Sequence, residues 1–301
     1  MNDHRRIGQL LELKRWQEAH DLAVSSLAEI PQDAHLHFLH SLALHGLGQT
    51  KDGLAAIDRA LALSHGTVRY HEQRGMFLSY LGKHKDAWAT FDHALTLDPN
   101  DVNVKAAYVE AILRDRRSGK ASNKDRLVKA RDLADSILAD APETELAHAI
   151  DAKVHIANEM PFKAQAAAKR TLAINPNSVV GHQLMGITQR DIGNTRAAGD
   201  SFVTAGKLDP TSDTSRSLLS NLGKGGAAPL GLGAYFVFRA IAKAGSAGAE
   251  SAGVPVAIII VLLVVGFIVF QVHRNQERRR TATGQLSPQA QAVLEADKKL
   301  R

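Results

Sequence analysis

The sequence predicts an all-α protein, a solenoid of about six helix-turn-helix repeats followed by a C-terminal transmembrane helix. Three observations lead to this prediction. Small, apolar and proline residues recur at a regular spacing, aromatic residues make up only 5% of the chain, and one stretch near the C-terminus is long, apolar and uncharged. A chain that is poor in aromatic residues and rich in Ala and Leu suits close-packed helices better than a β-sandwich.

Composition and charge exclude several kinds of site. The chain has no cysteines, so disulfides, thiolate metal ligands and cysteine nucleophiles are excluded. The net charge of +6 is uneven, because residues 273–301 hold seven of the 37 basic side chains but only three of the 31 acidic ones. The basic excess lies largely in this tail rather than on a broad face, so no nucleic-acid partner is expected.

The first set of regularly spaced residues, here termed a ladder, consists of prolines that end successive helices. Proline ends a helix because it cannot continue the helical hydrogen bonding. Its members are Pro31, Pro99, Pro142, Pro176 and Pro210. The last three define one constant repeat length, and Pro31 and Pro99 are two such lengths apart, with His65 at the midpoint. The interval from Pro99 to Pro142 is nine residues longer, so one repeat carries an insertion.

Three further ladders keep the same register. Small residues recur at Ala19, Gly53, Ala87, Ala130, Ala164 and Ala198 in one ladder, and Ser41, Gly75, Val109, Ala152 and Gly186 form another. The apolar contact of the second helix recurs at Ile57, Phe91, Ala134, Ala168 and Phe202. Small residues allow two helix backbones to approach closely, and the larger side chains fill the neighbouring space. The ladders place the nine extra residues between Val109 and Ala130.

The repeat resembles the tetratricopeptide (TPR) family, whose unit has about 34 residues and a W-x2-L-G-x2-Y, A-x3-F and P pattern. The best copy holds Gly75, Leu78, Ala87, Phe91 and Pro99, and Ala198, Phe202 and Pro210 match nearly as well. The resemblance covers residues 1–212 as six repeats. It implies a right-handed superhelix whose first helices line a concave groove. Residues 213–228 are expected to form a capping helix and a Gly-rich linker.

The resemblance implies that a protein or peptide ligand binds in this groove. By repeat register, the groove positions include Phe38, Leu42, Arg69, Glu72, Met76, Asn103, Lys153, Gln183 and Arg190. The groove is apolar near Phe38 and Leu42 and charged elsewhere, which suits an extended or helical peptide. Arg69 and Arg190 are the expected polar contacts, and Phe38 is the expected apolar contact.

No set of residues indicates an enzyme or a cofactor. The sequence lacks a nucleophile elbow, a phosphate-binding loop, an HExxH motif and a dinucleotide fingerprint. Four of the 14 histidines, at His37, His71, His148 and His182, occupy one position of their repeats. They are too far apart to share a metal ion with bonds of about 2 Å, so a packing role is expected and no metal site. Only His37 and His40 could share a face.

The nine-residue insertion falls within residues 114–129, which hold seven basic and two acidic side chains. A solvated loop is the simpler interpretation. The functional alternative is a docking patch for acidic lipid or for an acidic partner.

Residues 254–272 form the predicted transmembrane helix. These 19 uncharged residues would reach about 28 Å as a helix, close to the thickness of one hydrocarbon core. Ahead of them, residues 229–243 are apolar but carry Arg239 and Lys243 on one face. Because a charge within the membrane is costly, this stretch is expected to be an interfacial helix or a first membrane helix. The bilayer is thus an expected partner, and residues 273–301 form a basic tail.

Together these features predict a membrane-anchored scaffold that binds a partner protein or peptide in the groove. The alternative is a stabilising or oligomerising subunit of a membrane complex, accessory to an envelope enzyme, which would make the chain a possible homo-oligomer. The repeats are expected in the cytoplasm, because no signal peptide precedes them. The basic tail favours a cytoplasmic tail and a membrane hairpin, whereas hydropathy favours one span as a tail anchor, and both arrangements stay open.

Overall fold

The computed structural model describes residues 2–115, 120–210, 213–222, 288 and 290–292. Within these ranges every regular element is an α-helix. The chain divides into two compact units, Met1–Asn175 and Pro176–Arg301.

Unit 1 is an all-helical repeat solenoid. Its described helices are α1 (Asn2–Glu12), α2 (Trp16–Glu29), α3 (Ala34–Gly46), α4 (Thr50–Leu63), α5 (Val68–Tyr80), α6 (His84–Leu97), α7 (Val102–Arg114), α8 (Lys120–Asp140), α9 (Glu145–Ala157) and α10 (Pro161–Ile174). Consecutive helices pack in pairs, and each pair packs on the next. The first helices of neighbouring repeats are also in contact. α5 contacts α7, and α7 contacts α9, so the first helices share one layer.

The second helices end where the proline ladder predicts. α2 ends at Glu29, two residues before Pro31, and α6 ends at Leu97, two residues before Pro99. The first helices begin at polar caps two residues after the prolines. The carboxylate of Asp33, for example, accepts a hydrogen bond of 2.9 Å from a backbone N–H in the first turn of α3. The repeat register thus fixes both ends of each connection between repeats.

Five of the turns inside repeats, all in the described part of the chain, place one residue in the left-handed region. Gly48, Gly82 and Gly193 occupy this position with φ of +79°, +73° and +97°. The same position holds Lys14 and Glu159, both with φ of 57°. Glycine adopts this conformation without a steric cost, whereas residues with a Cβ atom do not.

Two hydrophobic clusters fill unit 1. One extends from α1 to α5 and includes Ile57 and Phe77, and the other extends from α5 to α9 and includes Phe91 and Tyr108. The rings of Phe91 and Tyr108 stack with their centroids 5.1 Å apart. Phe91 is fully buried, which confirms the predicted apolar contact of the second helix.

Seven of the nine extra residues lengthen the second helix of the fourth repeat. α8 is 21 residues long, whereas α6 in the preceding repeat has 14 residues. The expected solvated loop over residues 114–129 is therefore wrong from Lys120 onward, where the chain is helical. Residues 116–119 lie outside the described ranges.

Several basic residues of the insertion are bound within the chain. Arg126 is only 9% exposed, and its Nη1 donates hydrogen bonds to the backbone oxygens of Ile112, at 3.2 Å, and of Asp115. Lys129 Nζ donates to Asp92 Oδ1 at 2.9 Å. Arg126 and Lys129 thus hold the long helix against its neighbours, and the suggested docking patch loses these two charges to intramolecular contacts.

Unit 2 begins with another helical pair, α11 (Val179–Ile192) and α12 (Thr195–Leu208), followed by α13 (Asp213–Leu222). α13 packs against α12 and touches α11. Ser215 of α13 is 1% exposed in this contact.

In the part of the chain that the structure describes, no helix combines the length and apolarity that a membrane crossing requires. The predicted span at 254–272 and the predicted membrane or interfacial helix at 229–243 lie outside the described residues. Both segments stay predictions, and so does the right-handed superhelix.

Candidate functional site

The first helices of unit 1 present a common surface, here termed the first-helix face. It is built from half-buried side chains at one position of successive repeats, flanked by exposed side chains at another. The half-buried row is Leu42, Met76, Glu110 and Lys153, and the exposed row is His35, Arg69 and Asn103. Because members of a row come from the same repeat position, the row runs across α3, α5, α7 and α9.

The half-buried row changes in character along the face. Leu42 packs against the cluster of α1 to α5, and Met76 packs against the cluster of α5 to α9. Glu110 and Lys153 then form an ion pair between α7 and α9, with side chains 33% and 31% exposed. The row therefore offers an apolar floor at one end and a partly solvated ion pair at the other.

Phe38 does not contribute to this face as expected. Its side chain is 2% exposed. The ring stacks on Tyr70 with centroids 5.2 Å apart, and the Arg69 guanidinium lies 5.2 Å from the ring centroid. The prediction that Phe38 is an apolar contact for a ligand is therefore wrong, because α5 covers the ring with two of its own side chains.

Glu72, another expected groove position, is a second half-buried carboxylate of the first helices besides Glu110. Burial raises its pKa, and so does the nearby Asp101 carboxylate, while Arg69 acts in the opposite direction. A carboxylate in this environment is incompletely solvated, so a cationic group of a ligand would stabilise its charged form.

An aromatic and cationic group at the C-terminal ends of the first helices was missed by the sequence analysis. Tyr80 is 43% exposed, its ring lies 4.7 Å from that of His45, and the Arg114 guanidinium lies 4.1 Å from its centroid. Burial and the Arg114 charge lower the pKa of His45. A signal was available, since Tyr80 and Arg114 are one repeat length apart and occupy the same repeat position.

The two remaining expected groove residues belong to unit 2. The Gln183 amide donates a hydrogen bond of 2.9 Å to Ser215 Oγ of α13, so part of its polar capacity is used within the chain. Arg190 pairs with the adjacent Asp191 at 3.0 Å. Whether either side chain contacts a ligand stays a prediction.

Three of the four repeated histidines pack against the turn between repeats, in line with the role that the sequence predicts. Nε2 of His37, of His71 and of His182 each lies 2.7–3.0 Å from the carbonyl oxygen six residues earlier, in the turn between repeats. His40 pairs instead with His20 of α2, at 3.0 Å between ring nitrogens. Among the described residues, no three His, Asp or Glu side chains are placed to hold a metal ion.

A groove of about 650 Å³ lies along α8, α9 and the start of α10. Arg131 crosses it, with Nη1 2.8 Å from Asp151 and Nε 2.9 Å from Asp135. His155 Nε2 is 3.3 Å from the same Asp151 carboxylate. The charges in this groove neutralise one another, so it offers a ligand less than the first-helix face does.

Comparisons with known proteins identify the fold. No protein-family model and no curated protein matches the chain. Several solved structures, in contrast, are similar to this chain. A tetratricopeptide repeat protein from Parabacteroides merdae has a TM-score of 0.62 at 13% identity, over 72% of this chain and 81% of that one. TTC0263, a thermophilic TPR protein of Thermus thermophilus, has a TM-score of 0.57 at 16% identity, over 62% and 96%.

PilW, a widely conserved type IV pilus biogenesis factor, has a TM-score of 0.56 at 15% identity, over 72% of this chain and 96% of its own. At these identities the likeness concerns the fold alone. The chain thus has a TPR-like fold, as its repeat pattern predicts.

Proposed function

We propose that this chain is a membrane-anchored scaffold that binds a segment of a partner protein on the first-helix face of unit 1. One observation carries the proposal: apolar, anionic and aromatic side chains from consecutive repeats lie on this face. Leu42 and Met76 provide apolar contact, Glu72 provides a partly desolvated carboxylate, and Tyr80 provides an exposed ring beside a cation. Such a mixture suits a peptide better than a small molecule.

Tyr80 and Arg114 are the proposed energetic centre of binding. Tyr and Arg are enriched among the few residues that carry most of the binding energy of protein interfaces, and Tyr buries much surface while losing little conformational freedom. Contact between Arg114 and the ring already orients both side chains. Arg69 and Asn103 are proposed as polar contacts at the other edge of the face.

The anchor is the second part of the proposal. The 19 uncharged residues 254–272 are long enough to span a bilayer, and residues 229–243 add an apolar segment with two basic side chains. The repeats are proposed to face the cytoplasm. Repeat surfaces of this kind bind other proteins and usually carry no chemistry of their own, so we assign no catalytic activity.

Crosslinking in native membranes tests the proposal. The full chain would be compared with Tyr80→Ala and with Lys51→Ala, a matched control on the exposed surface of α4. A partner protein captured by the wild type and by Lys51→Ala, but strongly reduced with Tyr80→Ala, is the expected result. If the chain is crosslinked only to other copies of itself, partner binding is contradicted and the oligomerising subunit is favoured.

A further inference from the structure

One exposed repeat position of the second helices is apolar in only two repeats. It lies two residues before the small-residue ladder that begins at Ala19, and it holds Gln17, Lys51, Lys85, Val128, Phe162 and Arg196. All six side chains are exposed. Val128 of the fourth repeat is 51% exposed, and Phe162 of the fifth repeat is 72% exposed. Because the other repeats fold with polar residues here, packing within the chain does not account for these two.

Met160 extends this exposed apolar surface. Its side chain is 44% exposed. The other repeats hold polar residues at its repeat position, namely Arg15, Gln49, Lys83, Arg126 and Asn194. Single apolar residues scattered over a surface are ordinary, whereas clustered ones mark contact with another molecule. Val128, Met160 and Phe162 are here termed the α8–α10 patch.

The α8–α10 patch borders a groove. Val128 and Met160 line the groove of about 650 Å³ along α8, α9 and the start of α10, and Leu127 adds to its apolar wall. Phe162 lies beside the groove, next to the lining residue Lys163. Since the charges that cross the groove already neutralise one another, an apolar side chain fits it better than an ion does. One surface thus carries both an exposed ring and a recess that could receive one.

Charges of both signs surround the patch. Lys124, Asp132 and Lys163 are exposed, and none of the ion pairs within the described part of the chain includes them. A partner with a large net charge would be matched by a surface of the opposite sign. A surface with both signs is instead complementary to a second copy of itself, because a lysine of each copy can meet an aspartate of the other across a twofold axis.

We infer that the α8–α10 patch binds the same patch of a second copy of this chain, as an isologous dimer in which Phe162 of each copy enters the groove of the other. A ring and a recess on one surface meet the requirement of a twofold interface that every contact occurs twice. None of these residues belongs to the first-helix face, so the dimer is independent of the proposed partner binding. Only three apolar side chains per copy form its centre, so we expect a dissociation constant in the micromolar range.

The molar mass of the full chain in mild detergent, measured by light scattering across the micromolar range, tests the dimer. Phe162→Lys introduces the residue that the second and third repeats carry at this position, so the variant should keep the wild-type thermal midpoint. Its dimer dissociation constant should rise by at least about tenfold, because both copies lose the ring. Ala89→Lys adds the same charge at an exposed site on α6 and should dimerise like the wild type.

Cysteine crosslinking in native membranes locates the contact, because the chain has no native cysteine. Ala166 is exposed one helical turn after Phe162, and Ala55 is exposed at the same repeat position of the second repeat. With a short bismaleimide, Ala166→Cys should give a crosslinked dimer and Ala55→Cys should not. Adding Phe162→Lys to Ala166→Cys should remove the crosslink.

Several results would overturn the inference. A wild-type chain that stays monomeric throughout the micromolar range forms no such dimer, and a mass that grows beyond the dimer indicates an open assembly instead of a twofold one. Equal dissociation constants for the wild type and Phe162→Lys would place the contact elsewhere. Crosslinking of Ala166→Cys to a different protein, and not to a second copy, would assign the patch to another partner. Partner capture that depends on Tyr80 is unaffected by any of these results, so the two proposals fail separately.

Discussion

A Cβ atom on Gly75 would lie 2.7 Å from Cζ of the Phe91 ring, so the ring occupies the space next to the glycine backbone. Gly186 and Phe202 repeat this relationship in the last helical pair. In each of these two repeats, the glycine of the first helix and the phenylalanine of the second helix thus share one volume. A phenylalanine at this position of the second helix requires a glycine on the first, since packed interiors leave few voids.

This shared volume predicts the effect of substitutions on unfolding. Phe91→Ala should lower the free energy of unfolding by about 3–5 kcal/mol, because it leaves a cavity. Gly75→Ala should cost about 1–3 kcal/mol through overpacking. In urea unfolding of residues 1–222, adding Gly75→Ala to Phe91→Leu should cost less than adding it to the wild type. Equal costs would show that the two sites do not share a volume.

At the left-handed turn position, adding a side chain and removing one should change the stability of the fold in opposite directions. Gly193→Ala should destabilise the chain by about 1–2 kcal/mol, because φ is +97° and an added Cβ atom is strained there. Glu159→Gly should be neutral or stabilising by up to about 1 kcal/mol. It relieves the strain at φ 57°, which raises stability, and this gain is partly offset because the unfolded chain gains entropy. Thermal unfolding would measure both. A clear loss of stability in Glu159→Gly would contradict this account.

His40 predicts a dependence of stability on pH. Burial lowers its pKa from 6.5 to about 4, and the nearby His20, His37 and Arg59 add to the effect. The folded state therefore favours the neutral ring. Above pH 6.5 its contribution to stability is fully present, and it is lost as the pH falls toward 4, because the unfolded chain then binds a proton that the folded chain does not.

The variant His40→Leu tests this dependence. After allowance for partial exposure, the loss attributable to His40 between pH 6.5 and pH 4 is on the order of 1–2 kcal/mol. Urea unfolding across this range should show a shallower fall for His40→Leu than for the wild type. Thr96→Leu, at an exposed site on α6 that carries no titratable group, serves as the control and should keep the wild-type slope. An unchanged slope in His40→Leu would refute the assignment.

Tyr80 and Phe38 should respond differently to truncation. Tyr80→Ala should weaken binding of the proposed partner by about 1–2 kcal/mol and leave the thermal midpoint nearly unchanged, because its ring is largely at the surface. Phe38→Ala should lower the stability of unit 1 by about 3–5 kcal/mol, because its ring is buried. Affinity and thermal midpoint, measured for both, distinguish the two roles. A stable Phe38→Ala protein with weakened binding would place Phe38 in the binding face after all.

The sequence predicts the elements of the candidate site better than the site itself. Met76, Lys153 and Leu42 lie half-buried at the expected repeat position, because register alone decides which turn of a helix a residue occupies. Register does not decide what covers that turn. Phe38 is at a groove position, yet Tyr70 and Arg69 lie against its ring, and no local pattern predicts that contact.

The sequence by itself determined the repeat, its length, the ends of its helices and the site of the insertion. These features follow from local chemistry, since proline ends a helix, glycine allows a left-handed turn, and small residues recur wherever two helices approach. The tertiary structure decided which side chains are covered and which are paired. Arg126 is held by Asp115, and Arg114 reaches Tyr80 from the next repeat. Such contacts depend on the side chains that the neighbouring helix brings into the same space, so they are fixed only when the helices pack.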